Sequence, residues 1–301
     1  MSTEERFRGC LLGLAVGDAV GTSVEFRPRG SFPPLTDMVG GGPFHLRPGE
    51  WTDDTSMALC LAASLIERGG FDAGDQMRRY WDWYQHSYLS SNGRCFDIGN
   101  TVRQALQHYR ETGDPYSGST DPYTAGNGSI MRLAPVVLAY YPDAQAIWRY
   151  AAESSRTTHA AAECLDACCL LGDILNRLLS GADRAEALLG TSRERLESKS
   201  LQGIARGDYR SKPSEQIRGS GYVIESLEAA LWCFWATDSF EGAILKAANL
   251  GDDADTTAAV CGQVAGAYYG ESGIPARWLS RLAMRDEITE LAGKLQAMKL
   301  F

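Results

Sequence analysis

From Thr256 to Tyr269 the chain consists almost wholly of Thr, Ala, Val, Cys, Gly and Gln. No side chain in most of this stretch is large enough to hold a neighbouring backbone away, so the spacing predicts a central, tightly packed helix. Other segments supply helices to surround it. Cys164, Cys168, Leu171, Leu175 and Leu178 step by four, three, four and three, and Val223, Leu227, Leu231 and Phe234 repeat the pattern of a core-facing helix. Met57 to Ile66 and Thr101 to Tyr109, the latter with Val102, Leu106 and Tyr109 on one face, read the same way. Runs of period two bounded by turn residues are few, so strands should be minor and the expected class is all-α.

The chain has 301 residues, 44% of them hydrophobic, enough for a sizeable core. Its breaks are Pro/Gly loops, Arg27 to Gly49 and Glu111 to Gly128, and a polar stretch, Ser192 to Gly221, that promises a weak helix at best. With no flexible Gly/Ser linker and no internal repeat, one domain over 1–301 is expected. The first apolar run, Cys10 to Val16, is short and closed by Asp18, so no secretory signal is expected. Arg132 interrupts Ile130 to Tyr141, and no uninterrupted apolar stretch approaches the roughly 18 residues of a membrane span. Eight cysteines without paired CxxC spacing suggest a reduced, cytoplasmic protein. A net charge of −9 disfavours nucleic acid as a partner and hints at cations.

Four segments hold polar residues that a helical core does not require. In Gly49 to Met57, Thr52, Asp53 and Asp54 open an apolar helix, where capping alone could account for an acid. In Gly251 to Thr257, by contrast, Asp252, Asp253 and Asp255 put three carboxylates into four positions, and they repel one another unless a cation neutralises them. Oxygen donors with Thr hydroxyls among them suit Mg²⁺ or Mn²⁺ better than zinc. If the two helix starts meet, they could hold two ions; spacing alone leaves that open. Thr124 to Arg132 is a glycine-rich turn whose backbone N–H groups could approach a phosphate, or simply a turn. Asp97 and His159 each stand at the edge of a predicted helix, where a cap is the plain alternative. HExxH, GxSxG and a complete P-loop are absent, which disfavours a zinc protease, a serine hydrolase and a P-loop nucleotidase.

Taken together, Arg8 to Ala19, Trp51 to Thr55, Gly126 to Arg132 and Gly251 to Thr257 occur in an order that resembles the ADP-ribosylglycohydrolases, closest to the branch that activates dinitrogenase reductase. The resemblance runs from about residue 6 to 279. It implies a compact, single-domain orthogonal helical bundle with a central dinuclear Mg²⁺ or Mn²⁺ site. The matching ligands are Thr52, Asp53, Asp54, Asp253, Asp255 and Thr256, whereas Asp252 falls on a non-ligand position. It further implies that Gly126, Asn127, Gly128, Ser129 and Met131 hold a diphosphate, that Glu25 lies on a flap, that Asp97 and His159 border the terminal ribose, and that Tyr222 lines the pocket. Asp97 is assigned the proton relay, with Glu25 as the other candidate. The implied activity is removal of ADP-ribose from arginine side chains of a modified protein. Its rivals are an ADP-ribosylserine or other O-linked hydrolase, a non-catalytic ADP-ribose-binding relative, and a two-metal phosphohydrolase.

Overall fold

Glycine recurs at every fourth position of helix α1 (Thr3–Gly21), from Gly9 through Gly13 and Gly17 to Gly21, which leaves one face of the helix as bare backbone. Helix α12 (Ala254–Tyr269) answers with Ala254, Ala258, Gly262 and Gly266. A methyl group at Gly13 would lie 2.3 Å from the Gly262 carbonyl oxygen, and one at Gly262 would lie 2.0 Å from the Gly13 oxygen. The two backbones therefore touch, and any side chain at these positions would have to push them apart.

This structure is a computed structural model that describes residues 1–191 and 193–298. Those residues form fourteen α-helices and no strand, only isolated bridges. Around the central pair, α7 (Ala162–Leu179), α10 (Val223–Trp235) and α11 (Phe240–Ala248) pack on α12, while α5 (Ala134–Tyr140) and α14 (Arg285–Ala297) flank α1. Helix α2 (Asp53–Arg68) lies against α3 (Ala73–His86) and α5. One core cluster takes in residues from Phe7 to Leu295. By length and mean hydropathy Thr3–Val24 could cross a membrane, but 89% of that window is buried inside the fold, which accounts for its apolar character.

The periodic segments are helical as expected, including Thr101–Tyr109 within α4 (Asn100–Thr112). Two local expectations change. Asp18 does not close the first apolar run: α1 continues to Gly21 with Asp18 wholly buried, because its carboxylate finds partners described below. Of the stretch from Ser192 to Gly221, Ser192 lies outside the described residues, and the remainder holds a well-formed helix, α9 (Lys199–Arg206). Ser198 caps its start, Gly207 ends it in the left-handed conformation, and Leu201, Ile204 and Ala205 bury its inner face. The long 27–49 loop is pinned at both faces. Leu35 exchanges two hydrogen bonds with the Asn249 amide, and Asp37 accepts from Trp278 Nε1 at 2.6 Å and Arg281 at 2.8 Å.

Gly262→Ala is expected to cost about 2 kcal/mol or more through forced separation of α1 and α12, seen as a lower denaturation midpoint. Gly293→Ala is the matched control. A methyl there meets nothing within 4 Å in the interior of α14, so it should be neutral or stabilising by about 0.5–1 kcal/mol. Equal midpoints for the two variants would show that the glycine contact is dispensable.

Candidate active site

The starts of α2 and α12 meet. Neither Thr52 nor Asp253, the residues at the two N-cap positions, makes a side-chain capping bond, so capping does not explain the acids. The hydroxyls instead tie the helices together: Thr256 Oγ1 donates to Asp54 Oδ2 at 3.3 Å, and Thr52 Oγ1 lies 3.3 Å from Asp255 Oδ2. Asn127 Nδ2 donates to Asp253 Oδ2 at 2.7 Å. Glu25, Asp97 and Asp255 each bring one carboxylate oxygen within 4.8 Å of the other two.

Burial, followed by mutual repulsion, holds the Asp53, Asp54 and Asp255 carboxyls well above the usual range. The same causes push Glu25 up to about 10, with Asp97 its strongest neighbour, and Asp97 up to about 7. Asp54 Oδ1 and Asp255 Oδ1 are buried without any partner. A cage of carboxylate and hydroxyl oxygens with such orphaned acceptors fits a hard divalent cation, which would neutralise the repulsion and satisfy both atoms.

Asp18 organises this cage from behind, and nothing in the sequence reading assigned it a role. Its Oδ1 accepts from the Thr52 N–H and hydroxyl, both at 2.9 Å, and its Oδ2 from the Thr55 N–H at 3.0 Å and hydroxyl at 2.6 Å. Burial pushes it up to about 6 despite these four bonds. The available signal was an acid inside an otherwise apolar helix. Thr52 is buried and does not line the cavity; its hydroxyl proton goes to Asp18, which leaves the lone pairs of its oxygen beside Asp255.

The acids open into a cavity of about 350 Å³, lined also by Gly126, Asn127, Gly128, Met131 and His159. Asp97 and His159 are not caps: the N-caps of α4 and α7 are Gly99 and Ala161. Asp97 sits in the left-handed region at φ 60°, with a carboxylate oxygen within 4.8 Å of Glu25 and Asp255. A methyl group at Gly128 would lie 2.7 Å from His159 Cε1, so glycine makes room for the imidazole. Arg132 donates to Thr158 Oγ1 at 2.6 Å, and the Thr158 hydroxyl lies 2.8 Å from His159 Nδ1. That hydroxyl accepts from the guanidinium and is also the partner of Nδ1, which leaves Nε2 on the side of Gly126 and Gly128. Burial, then Arg132, lowers His159 to about 3 and keeps it neutral. Arg132 too was missed as a site residue, although it interrupts an apolar run.

Two expected ligand-binding residues lie elsewhere. Ser129 is buried behind the glycine turn, its hydroxyl toward Cys168, and does not line the cavity. Tyr222 lines an adjoining hollow of about 710 Å³ with the 98% exposed Tyr123, and its hydroxyl donates to Glu163 Oε2 at 2.6 Å. This hollow shares Thr101, Gly126 and Gly221 with the acid cavity, so the two adjoin. The turn supplies the shared wall, with Asn127 N–H bonded to Gly221 O and Val223 N–H to Ala125 O. The N–H groups of Gly128 and Ser129 have no partner among the described residues. The turn does not run straight into a helix, since α5 begins only at Ala134.

Comparison with known proteins matches residues 1–300 to the ADP-ribosylglycohydrolase family model. An ADP-ribosylarginine hydrolase Tri1 of Serratia proteamaculans (strain 568) is 49% identical over 97% of this chain and 79% of its own. The ADP-ribosyl-[dinitrogen reductase] glycohydrolase of Rhodospirillum rubrum is 34% identical over 95% of this chain and 93% of its own. A solved structure described as an ADP-ribosylglycohydrolase-related protein complex superposes with a TM-score of 0.89 at 45% identity, covering 99% of both chains.

Asp18→Asn is expected to weaken Mn²⁺ binding, followed by calorimetric titration, by roughly ten- to a hundred-fold, with helical circular dichroism retained. The amide keeps the shape but turns an N–H toward donors that need an acceptor. Unchanged binding would show that Thr52 and Thr55 hold their positions without the carboxylate.

Proposed function

This chain belongs to the ADP-ribosylglycohydrolase family, and from that premise we propose that it removes ADP-ribose from modified arginine side chains of proteins by hydrolysing the N-glycosidic bond. The observation that carries this reading is the meeting of two acid-bearing helix starts with Glu25 and Asp97 in one cavity, which adjoins a second hollow, in a chain 49% identical to an ADP-ribosylarginine hydrolase. Read as one trough, the two have room for an extended ligand. The distal ribose lies among the acids, the diphosphate against the free Gly128 N–H in the Gly126–Met131 turn, and the adenosine beside Tyr222. His159 presents Nε2 to the ribose end.

Thr52, Asp53, Asp54, Asp253, Asp255 and Thr256 would hold two Mg²⁺ or Mn²⁺ ions, which when bound supply positive charge that orients the ribose hydroxyls and polarises the attacking water. The chain's own groups do the rest. Water adds to C1 of the ribose as the bond from C1 to the guanidine nitrogen breaks, and the surrounding carboxylates favour the positive charge that develops on the sugar. Asp97 takes the proton from the water and passes it to the departing nitrogen, so arginine leaves as guanidinium and ADP-ribose leaves intact; Glu25 is the alternative for this relay. Asp18 takes no part in proton transfer and positions Thr52 and Thr55.

On a defined ADP-ribosyl-arginine peptide the product should be intact ADP-ribose, not AMP, and a matched ADP-ribosyl-serine peptide should be cleaved more slowly. Faster cleavage of the serine peptide would reassign the linkage, and AMP would mean attack at phosphorus. Turnover should stop after exhaustive chelation and return with Mg²⁺ or Mn²⁺; full activity in protein proved metal-free by elemental analysis contradicts the metal assignment. Asp97→Asn should lower kcat at least about ten-fold with little loss of ADP-ribose affinity, because the amide cannot accept a proton at neutral pH. Parallel loss of binding and rate would make Asp97 a positioning group.

A further inference from the structure

Phe26 immediately follows Glu25, lines the acid cavity, and is nevertheless 65% exposed. Its backbone is held at φ 62°, in the left-handed region where a bulky residue is rare. A pair of backbone bonds maintains that conformation: Phe26 N–H to Asp252 O at 2.8 Å, and Asp252 N–H to Arg27 O at 2.9 Å. Behind it, Val24 and Phe32 pack on Ala254 in a small cluster of their own. The segment is thus clamped to the turn that carries Asp253, and the clamp presents an apolar ring to solvent rather than burying it.

The ring has aromatic neighbours but little cover. Phe26 meets Phe44 edge-on at 6.4 Å, and Phe44 packs on Phe96 at 5.1 Å, so two loops place aromatic rings behind the one that lines the cavity. Phe26 lines only the acid cavity, Tyr222 only the adjoining hollow. A ligand stretched along the trough with its adenosine beside Tyr222 therefore has its ribose at the acids and its leaving group at Phe26. Given the reading of the activity above, on which this inference rests, that leaving group is a planar cation still attached to a protein in solvent. An exposed aromatic ring beside carboxylates is a suitable receptor for such a group, through cation–π attraction.

We propose that Phe26 is a specificity-determining residue whose ring stacks on the guanidinium of the ADP-ribosylated arginine, so that a cationic leaving group is preferred over a neutral one. The test uses ADP-ribosyl-agmatine, which carries the guanidinium without a peptide, and ADP-ribose as a competing product that lacks it. Phe26→Leu keeps bulk and apolar character, removes the π face, and disturbs little of the core because the residue is mostly exposed. It should raise KM for ADP-ribosyl-agmatine by roughly three- to ten-fold with kcat nearly unchanged, while the inhibition constant of ADP-ribose stays within about two-fold. Phe26→Tyr should restore the wild-type KM. An unchanged KM in Phe26→Leu, an inhibition constant that rises in step with KM, or a Tyr variant as impaired as Leu would each overturn the proposal. Wild-type protein that leaves ADP-ribosyl-agmatine intact would instead overturn the activity itself, and this inference with it.

Discussion

Backbone contact between α1 and α12 sets the distances on which the site depends. The glycines that permit it run to the end of α1, where a methyl at Gly21 would lie 2.3 Å from the Ala254 oxygen and 2.5 Å from the Asp255 Cα. Asp18 and Asp255 are therefore placed within one helical turn of direct backbone contact, where the interior yields little. Asp18 then captures Thr52 and Thr55 through four hydrogen bonds and so fixes the start of α2 against the same pair of helices. A change in the spacing of α1 and α12 would reach the acids directly, without passing through a flexible loop.

Stability and function oppose each other in this cage. Asp53, Asp54 and Asp255 are buried together, two of their oxygens lack partners, and both burial and repulsion disfavour their ionised forms. A fold that keeps such a cluster must hold it by interactions elsewhere, and the long apolar core provides them. Any cation that binds the folded cage and not the unfolded chain would stabilise the protein by mass action.

Backbone strain gathers at the same place. Of seven non-glycine residues with positive φ among the described residues, Phe26 and Asp97 line the acid cavity and Asp252 is bonded to Phe26. Such conformations cost on the order of 1–3 kcal/mol each and persist only where the surroundings enforce them. Here the enforcing contacts are visible as the paired bonds between 26–27 and 252. They make the 25–27 segment and the turn carrying Asp253 a single unit, so Glu25, Phe26 and Asp253 are positioned together.

Much of the helical fold was legible in the sequence, because periodicity reports local geometry: the four-three spacing of Cys164 to Leu178 is a property of one helix wherever it packs. The small residues of α12 likewise announced a central helix, and oxygen-only clusters announced the type of ion that would suit them. Motif order pointed to the family. Contacts between segments far apart in the chain were beyond that reading. That Thr256 would reach Asp54, that Asp18 would hold Thr52 and Thr55, and that Tyr222 would lie in a second hollow while Ser129 turned away from the first are all outcomes of packing. So is the neutral His159, whose Nδ1 is held by Thr158 and, behind it, Arg132. The sequence by itself determined which residues could do chemistry and which helices would carry them. Only the tertiary structure decided which of them meet, because side-chain periodicity is set within about one turn of chain, whereas the approach of α1, α2 and α12 is set by close packing between residues some 200 positions apart.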